Sequence, residues 1–71
     1  MEINSIDQIR EEARRVRKDL GWSQNRLAMK AGVSLNTVYR MEHLEYDIYL
    51  DTLLRIMRAL GMKLVVTQGR C

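Results

Sequence analysis

The residues that could act as nucleophiles, metal ligands or acid–base catalysts are few and isolated in this 71-residue sequence. His43 is the one histidine and Cys71 the one cysteine, which excludes an internal disulfide and argues against a zinc site made by this chain alone. The sequence contains no paired carboxylates beside a base and no glycine-rich phosphate loop. Cys71 has only Arg70 as a neighbouring cation and is not expected to be a nucleophile. The sequence therefore predicts no enzyme, no cofactor and no metal.

The composition predicts one small folded domain over residues 1–71. The chain is 46% hydrophobic and 30% charged, which is typical of folded proteins. A chain of this length buries only about 60% of the surface that its unfolded form exposes, so we expect oligomerisation to add stability. No apolar run approaches the roughly 18 residues of a membrane span, and no signal-peptide pattern is found. We expect a cytoplasmic protein without a membrane partner.

Apolar residues at helical spacing predict four helices. Steps of three and four from Ile6 to Leu20 place one apolar stripe on a helix over about residues 6–19, and Ser5 with Gln8 forms a capping box before it. The other helices are predicted over about residues 24–31, 35–43 and 51–60. The last has its apolar stripe at Leu50, Leu53, Leu54, Met57 and Leu60, with Ile56 outside it.

The four residues Ala31, Gly32, Val33 and Ser34 join the second and third of these helices. A sharp turn between helices needs a glycine, an apolar residue fills the angle, and a serine caps the next helix. A pair of helices joined in this way lays its second helix in the DNA major groove while the first crosses the backbone. The motif therefore predicts a helix-turn-helix over residues 23–43 with double-stranded DNA as its partner.

Residues 20–61 resemble the helix-turn-helix domain of the phage-repressor family, also called Cro/C1 or Xre. Residues 20–42 read LGWSQNRLAMKAGVSLNTVYRME. They fit the family pattern Leu-Ser/Thr-Gln-x-x-Leu-Ala-x-x-Ala-Gly-Val-Ser-x-x-Thr-Val/Ile-x-Arg-x-Glu without gaps, with Trp22 in place of the usual leucine. The resemblance implies an all-α fold of four to five helices and a sequence-specific DNA-binding transcriptional repressor.

The resemblance also implies which residues contact bases. The positions that the family uses match Leu35, Asn36 and Arg40, with Thr37 and Tyr39 beside them. Arginine pairs with guanine, asparagine with adenine, and an apolar side chain contacts the thymine methyl group. Tyr39 is expected at either a phosphate or a base.

Several of these roles have structural alternatives. Arg40 could instead form an ion pair with Glu42 or Asp47 or cap the last carbonyls of its helix, and Leu35 could simply be exposed. Gln24 is expected to bind a phosphate or to brace the recognition helix. Weaker phosphate candidates are Asn25, Arg26 and Ser34, the last with helix capping as its full alternative.

The segment after the recognition helix departs from the family pattern, which has a glycine and a proline there. Leu44 and Ile48 stand at those positions, with acidic residues between them. Apolar and polar residues alternate over residues 43–49, which predicts an extended strap rather than a tight turn. Together with Ile56, the strap residues Tyr46, Ile48 and Tyr49 predict an apolar surface for a protein partner.

The C-terminal residues predict a β-strand, which in an otherwise helical chain has no sheet to join. We expect it to pair with the same strand of a second copy and make a homodimer. The predicted dimerisation strand consists of Met62, Lys63, Leu64, Val65, Val66 and Thr67. A helix that ends Ala-Leu-Gly before such a strand resembles HipB- and HigA-type antitoxins, which implies a toxin as a further partner.

The net charge of +3 is unevenly distributed. Residues 23–43 carry three cations and one carboxylate, whereas residues 44–60 carry two cations and three carboxylates. The cations of residues 14–18 are expected to form a solvated helix face.

Together these features of the sequence leave three hypotheses for the function. The chain is an autoregulating antitoxin that represses from an inverted-repeat operator, a regulator without a toxin, or a protein-interaction domain without DNA binding.

Overall fold

Helices dominate the computed structural model, which describes residues 5–43 and 47–65. In these ranges α1 spans Ile6–Asp19, α2 Gln24–Ala31, α3 Leu35–Glu42 and α4 Leu50–Ala59. The predicted bounds of α1 and α2 are confirmed, while α3 ends one residue early and α4 is shifted by one residue toward the N-terminus. The all-α prediction is confirmed.

Three serines start the first three helices. The hydroxyl oxygens of Ser5, Ser23 and Ser34 accept hydrogen bonds from the backbone N–H groups three residues on, at 3.3, 3.0 and 3.1 Å. Each such cap satisfies an N–H group that has no partner within its own helix, and is worth about 1 kcal/mol. Tyr49 precedes α4 without a side-chain cap. The caps fix where α2 and α3 begin, and so the length of the turn between them.

Gly32 makes the turn between α2 and α3. It has φ +70° and ψ +33°, the left-handed conformation that glycine adopts at low cost. The N–H of Val33 donates to the carbonyl of Ala28 at 3.0 Å, which closes the helix end. The Val33 side chain packs against the core, as the motif predicted. Only Val33 and Ser34 therefore separate Gly32 from the first residue of α3, Leu35.

The core lies where the four helices meet. Trp22 and Val33 pack against its edge. Its buried hydrophobic residues are Ala13, Leu27, Ala28, Val38, Met41, Leu53, Ile56, Met57 and Leu60.

One predicted face of α4 is wrong. Ile56 was placed outside the apolar stripe, yet it is fully buried, whereas Leu50 is 61% exposed. Ile56 follows Leu53 by three residues and precedes Leu60 by four, so helical geometry places it in the centre of the buried face. Ile56 therefore belongs to the core and cannot be part of an exposed surface.

The C-terminal strand stays a prediction. Residues 62–65 have neither helix nor strand assignment, and Val66 and Thr67 lie outside the described residues. Of the predicted strap, Leu44, Glu45 and Tyr46 also lie outside them. No helix within residues 5–43 and 47–65 is long and apolar enough to cross a membrane.

Candidate nucleic-acid interface

The predicted base-reading residues share one exposed face of α3. Leu35, Asn36, Tyr39 and Arg40 are exposed, while Val38 on the opposite side is fully buried. Leu35 and Tyr39 are four residues apart, as are Asn36 and Arg40, so the two pairs lie on adjacent rows of the helix. The face combines an apolar group, an amide, a phenol and a guanidinium. These are the groups that contact base edges and phosphates in a major groove.

Two other residues predicted to contact DNA, Ser34 and Thr37, bond to each other at the start of α3. Ser34 caps the helix, and its hydroxyl also lies 2.7 Å from the hydroxyl of Thr37, which is half-buried. The capping alternative for Ser34 is therefore confirmed. A phosphate contact by Ser34 and a DNA contact by Thr37 stay predictions, and the Ser34 hydroxyl would have to serve the cap as well.

The start of α2 lies close to the end of α3. Gln24 Nε2 donates to Glu42 Oε1 at 2.9 Å, which gives the bracing alternative direct support. Asn25 and Arg26 follow on the exposed side of α2. The Arg26 guanidinium lies over the Trp22 ring, 5.7 Å from its centroid. Within this interface, Gln24 is thus positioned by α3, while Asn25 and Arg26 are exposed.

A buried ion pair that no sequence pattern predicted joins α1 to α3. Arg17 Nε lies 2.6 Å from Glu42 Oε2, and Arg17 Nη2 donates to Glu42 Oε1 at 3.1 Å. Arg17 Nη1 also donates to the carbonyl of Trp22 at 2.6 Å. Both charged residues are buried. The prediction of a solvated face over residues 14–18 is therefore wrong for Arg17, and Glu42 is engaged by Arg17 and Gln24.

Arg10 makes a second connection between α1 and α3. Its Nε donates to the carbonyl of Met41 at 2.7 Å, and its Nη2 donates to the carbonyls of Arg40 and His43, both at 2.6 Å. Arg10 is 3% exposed. Its position gave a signal in the sequence, since Arg10 and Arg17 stand three before and four after the buried Ala13, on the same face of α1.

His43 extends the exposed face of α3 by one residue. Its ring stacks on that of Tyr39, with 3.9 Å between the centroids, and its Nδ1 lies 3.1 Å from the Tyr39 carbonyl. A pocket of about 320 Å³ beside it is lined by Arg14, Gln24, Glu42 and His43. The stack restricts the Tyr39 ring, so Tyr39 presents its hydroxyl from a defined position.

A second cleft, of about 170 Å³, lies between α3 and the start of α4. Its lining residues are Thr37, Arg40, Asp47, Ile48, Tyr49 and Thr52. Arg40 and Asp47 both line it, so an ion pair between them stays an alternative to base contact by Arg40. In residues 5–43 and 47–65, no three His, Cys, Asp or Glu side chains are grouped to hold a metal ion.

Comparisons with known proteins agree with this geometry. The helix-turn-helix family model HTH_3 matches residues 14–66. Three similar solved chains are each 26% identical, with a TM-score of 0.87 and alignments that cover 99% of this chain and 99% of the other. They are a chain of the HipA-HipB-O2-O3 complex, a chain named MDT Protein and a chain of the HipB-O4 20mer complex. No curated protein sequence matches the chain.

Proposed function

This chain belongs to the helix-turn-helix family of the Cro/C1 type, and we propose that it is a homodimeric, sequence-specific DNA-binding repressor that serves as the antitoxin of a toxin–antitoxin pair. The whole of residues 1–71 acts as one DNA-binding domain in this proposal. The observation that carries it is the exposed face of α3, which presents Leu35, Asn36, Tyr39 and Arg40. The helix is capped at its start, and its opposite side is buried in the core.

In the proposed complex, α3 enters the major groove. Arg40 reads a guanine, Asn36 an adenine and Leu35 a thymine methyl group. The start of α2 faces the phosphate backbone, where Asn25 and Arg26 supply a polar side chain and a charge. Gln24 holds α2 and α3 at a fixed angle through Glu42, so base contacts and phosphate contacts keep one register.

Dimerisation supplies the second half of the interface in this proposal. Leu64 and Val65 are exposed apolar residues next to a groove of about 340 Å³. The groove is lined by Leu54, Met57, Arg58, Met62, Lys63, Leu64 and Val65. Pairing of residues 62–67 between two copies would cover this surface and place two recognition helices about 34 Å apart, on an inverted repeat.

The antitoxin role is supported by the structural comparisons. HipB chains similar to this one are found in a complex with HipA and in a complex with an O4 20mer. On this chain, Tyr49 is 83% exposed and lies next to the exposed Leu50. An exposed apolar pair of this kind, outside the α3 face, is suited to a protein partner.

Selection of bound duplexes from a random DNA pool tests the repressor proposal. We expect an inverted repeat to be enriched, and Arg40→Ala to lose at least about tenfold in affinity for it, which corresponds to about 1.4 kcal/mol. The matched control is Arg55→Ala, which removes the same charge from an exposed position on α4. Equal affinities of the two variants for the selected repeat would contradict base reading by Arg40.

The dimer and the toxin need separate measurements. Sedimentation equilibrium on the full chain is expected to give a mass of two copies, and Val65→Lys is expected to give one. Purification from the native host under mild conditions is expected to recover a second protein bound to the homodimer. Recovery of the homodimer alone would favour the regulator without a toxin, and a chain that binds no DNA at low salt would favour the protein-interaction domain.

A further inference from the structure

Side chains of α1 and α2 hold the end of α3, and Arg10 is the one among those described that binds its backbone. The Arg10 guanidinium donates three hydrogen bonds of 2.6 to 2.7 Å to the carbonyls of Arg40, Met41 and His43. These carbonyls belong to the last turn of α3 and to its C-cap, where a carbonyl oxygen has no N–H donor within the helix. One partner of Arg10 is thus the backbone of Arg40, whose side chain is expected to read a base.

This connection matters because α3 is short. A helix of eight residues has two turns and is marginal on its own, so packing and end contacts decide its position. A buried guanidinium at the C-terminal end also places positive charge at the negative end of the helix dipole. Lysine could supply the charge at this site, but not the planar fork that reaches three carbonyls at once.

Arg10 and Arg17 bind the same last turn of α3 through different chemical groups. Arg17 binds the Glu42 side chain near the start of α2, whereas Arg10 binds backbone at residues 40–43. The two arginines are seven residues apart on α1, which separates their α-carbons by about 10.5 Å. Because the two arginines stand two turns apart on α1, their contacts together restrict how the last turn of α3 can tilt against α1, in addition to the packing of Val38 and Met41 in the core.

We propose that Arg10 is a positioning residue for sequence-specific DNA binding: it sets the tilt of the recognition helix, and thereby the place of Arg40 and Tyr39 in the major groove. The proposal rests on the proposed function. Arg10 does not touch DNA in it. A tilt error would move base contacts, which need correct distance and angle, more than phosphate contacts, which depend mainly on charge.

The test compares affinity for the selected duplex with affinity for a scrambled duplex of equal length, over a series of salt concentrations. Arg10→Lys keeps the charge and removes the fork, and Arg10→Met removes both. Lys18→Met is the control, since Lys18 is exposed on α1 and its loss changes the net charge by the same amount as Arg10→Met. Thermal unfolding followed by circular dichroism gives the temperature range in which each variant is folded, and affinities are compared within that range.

Arg10→Lys is expected to lower the ratio of selected to scrambled affinity by about tenfold, with scrambled affinity and its salt slope within about twofold of the parent chain. Lys18→Met is expected to leave the ratio unchanged. A folded Arg10→Lys variant that keeps the ratio would overturn the proposal. So would an equal loss on both duplexes, which is the result of a merely structural role.

Amide hydrogen exchange of Arg10→Lys gives a second readout. Exchange is expected to be faster at the last turn of α3, above all at the His43 N–H, which donates to the Tyr39 carbonyl at 3.0 Å, and unchanged in α2 and α4. Unchanged exchange at the His43 N–H would overturn the connection itself. A parent chain that selects no sequence would overturn the proposed function and the positioning role with it, whereas the exchange result would still report on the connection between α1 and α3.

Discussion

Arg17 of α1 and Glu42 of α3 form a two-bond ion pair in the interior, with 2.6 Å between Arg17 Nε and Glu42 Oε2. The third nitrogen of the guanidinium binds the Trp22 carbonyl, and Gln24 binds the carboxylate. Four segments, from α1 to α3, thus meet at one pair of charges. Because burial removes both charges from water, each charge is compensated only while its partner is present.

We expect each single removal of this pair to be costly and the double removal to be mild. Arg17→Met and Glu42→Leu should each lower the free energy of unfolding by about 3–5 kcal/mol, because each leaves one buried charge without its partner. The double variant should lose much less than the sum of the two. Urea unfolding of the three variants measures the coupling energy.

The exposed pair of Arg15 and Glu12 is the control for this cycle. Solvent screens exposed pairs, so the coupling energy of Arg15→Met and Glu12→Leu should be much smaller than that of the interior pair. A coupling as small for Arg17 and Glu42 would mean that the interior pair is solvated in solution, contrary to its burial.

Features that depend on neighbouring residues could be predicted from the sequence, whereas contacts between residues far apart in the chain could not. The bounds of α1 and α2 were predicted to the residue, because serine caps and glycine stops are local signals. The residues expected on the DNA-facing side of α3 came from the family resemblance, and four of them, Leu35, Asn36, Tyr39 and Arg40, are exposed. Arg17 and Glu42 are 25 residues apart in the sequence, and no local pattern indicates which carboxylate a buried arginine binds. The face of α4 was misjudged because Leu50 was counted with the buried residues, which turned the predicted stripe away from Ile56.

The salt bridge on the outside of α1 makes the charge of Glu12 depend on pH in a predictable direction. The hydrogen bond from Arg15 holds the pKa of the Glu12 carboxyl below its ordinary value. A carboxyl whose pKa is lower in the folded state adds stability above its unfolded pKa, and this contribution is lost as the pH falls through its folded pKa. Arg15→Gln should therefore raise the pKa of Glu12, as measured by NMR titration of its side-chain carbonyl carbon. Arg14→Gln, which removes a charge that does not contact Glu12, should leave that pKa in place, and an equal rise in both variants would refute the role of Arg15.

Gly32 should be replaceable by asparagine at lower cost than by alanine. A Cβ at this position would meet no atom within 4 Å, so the cost comes from the backbone conformation and not from a clash. Left-handed φ costs alanine about 1–2 kcal/mol, whereas asparagine adopts this region more readily. Thermal unfolding of Gly32→Ala and Gly32→Asn measures the difference. Equal losses in the two variants would indicate that the turn needs the missing side chain itself, and not only the left-handed φ.

Truncation to alanine should lower stability in the interior of α4 and leave it nearly unchanged at the surface before this helix. Ile56 is fully buried, so Ile56→Ala should lower the free energy of unfolding by about 2–5 kcal/mol, the sum of lost transfer energy and the cavity left behind. Tyr49 is 83% exposed, so Tyr49→Ala should change stability by less than about 0.5 kcal/mol. If the exposed surface at Tyr49 and Leu50 binds a protein partner, Tyr49→Ala should nevertheless weaken recovery of that partner from the native host, while DNA binding stays at the level of the parent chain. Loss of stability in Tyr49→Ala would instead assign this side chain to the fold of the chain, and retention of the partner at full yield would remove it from the proposed surface.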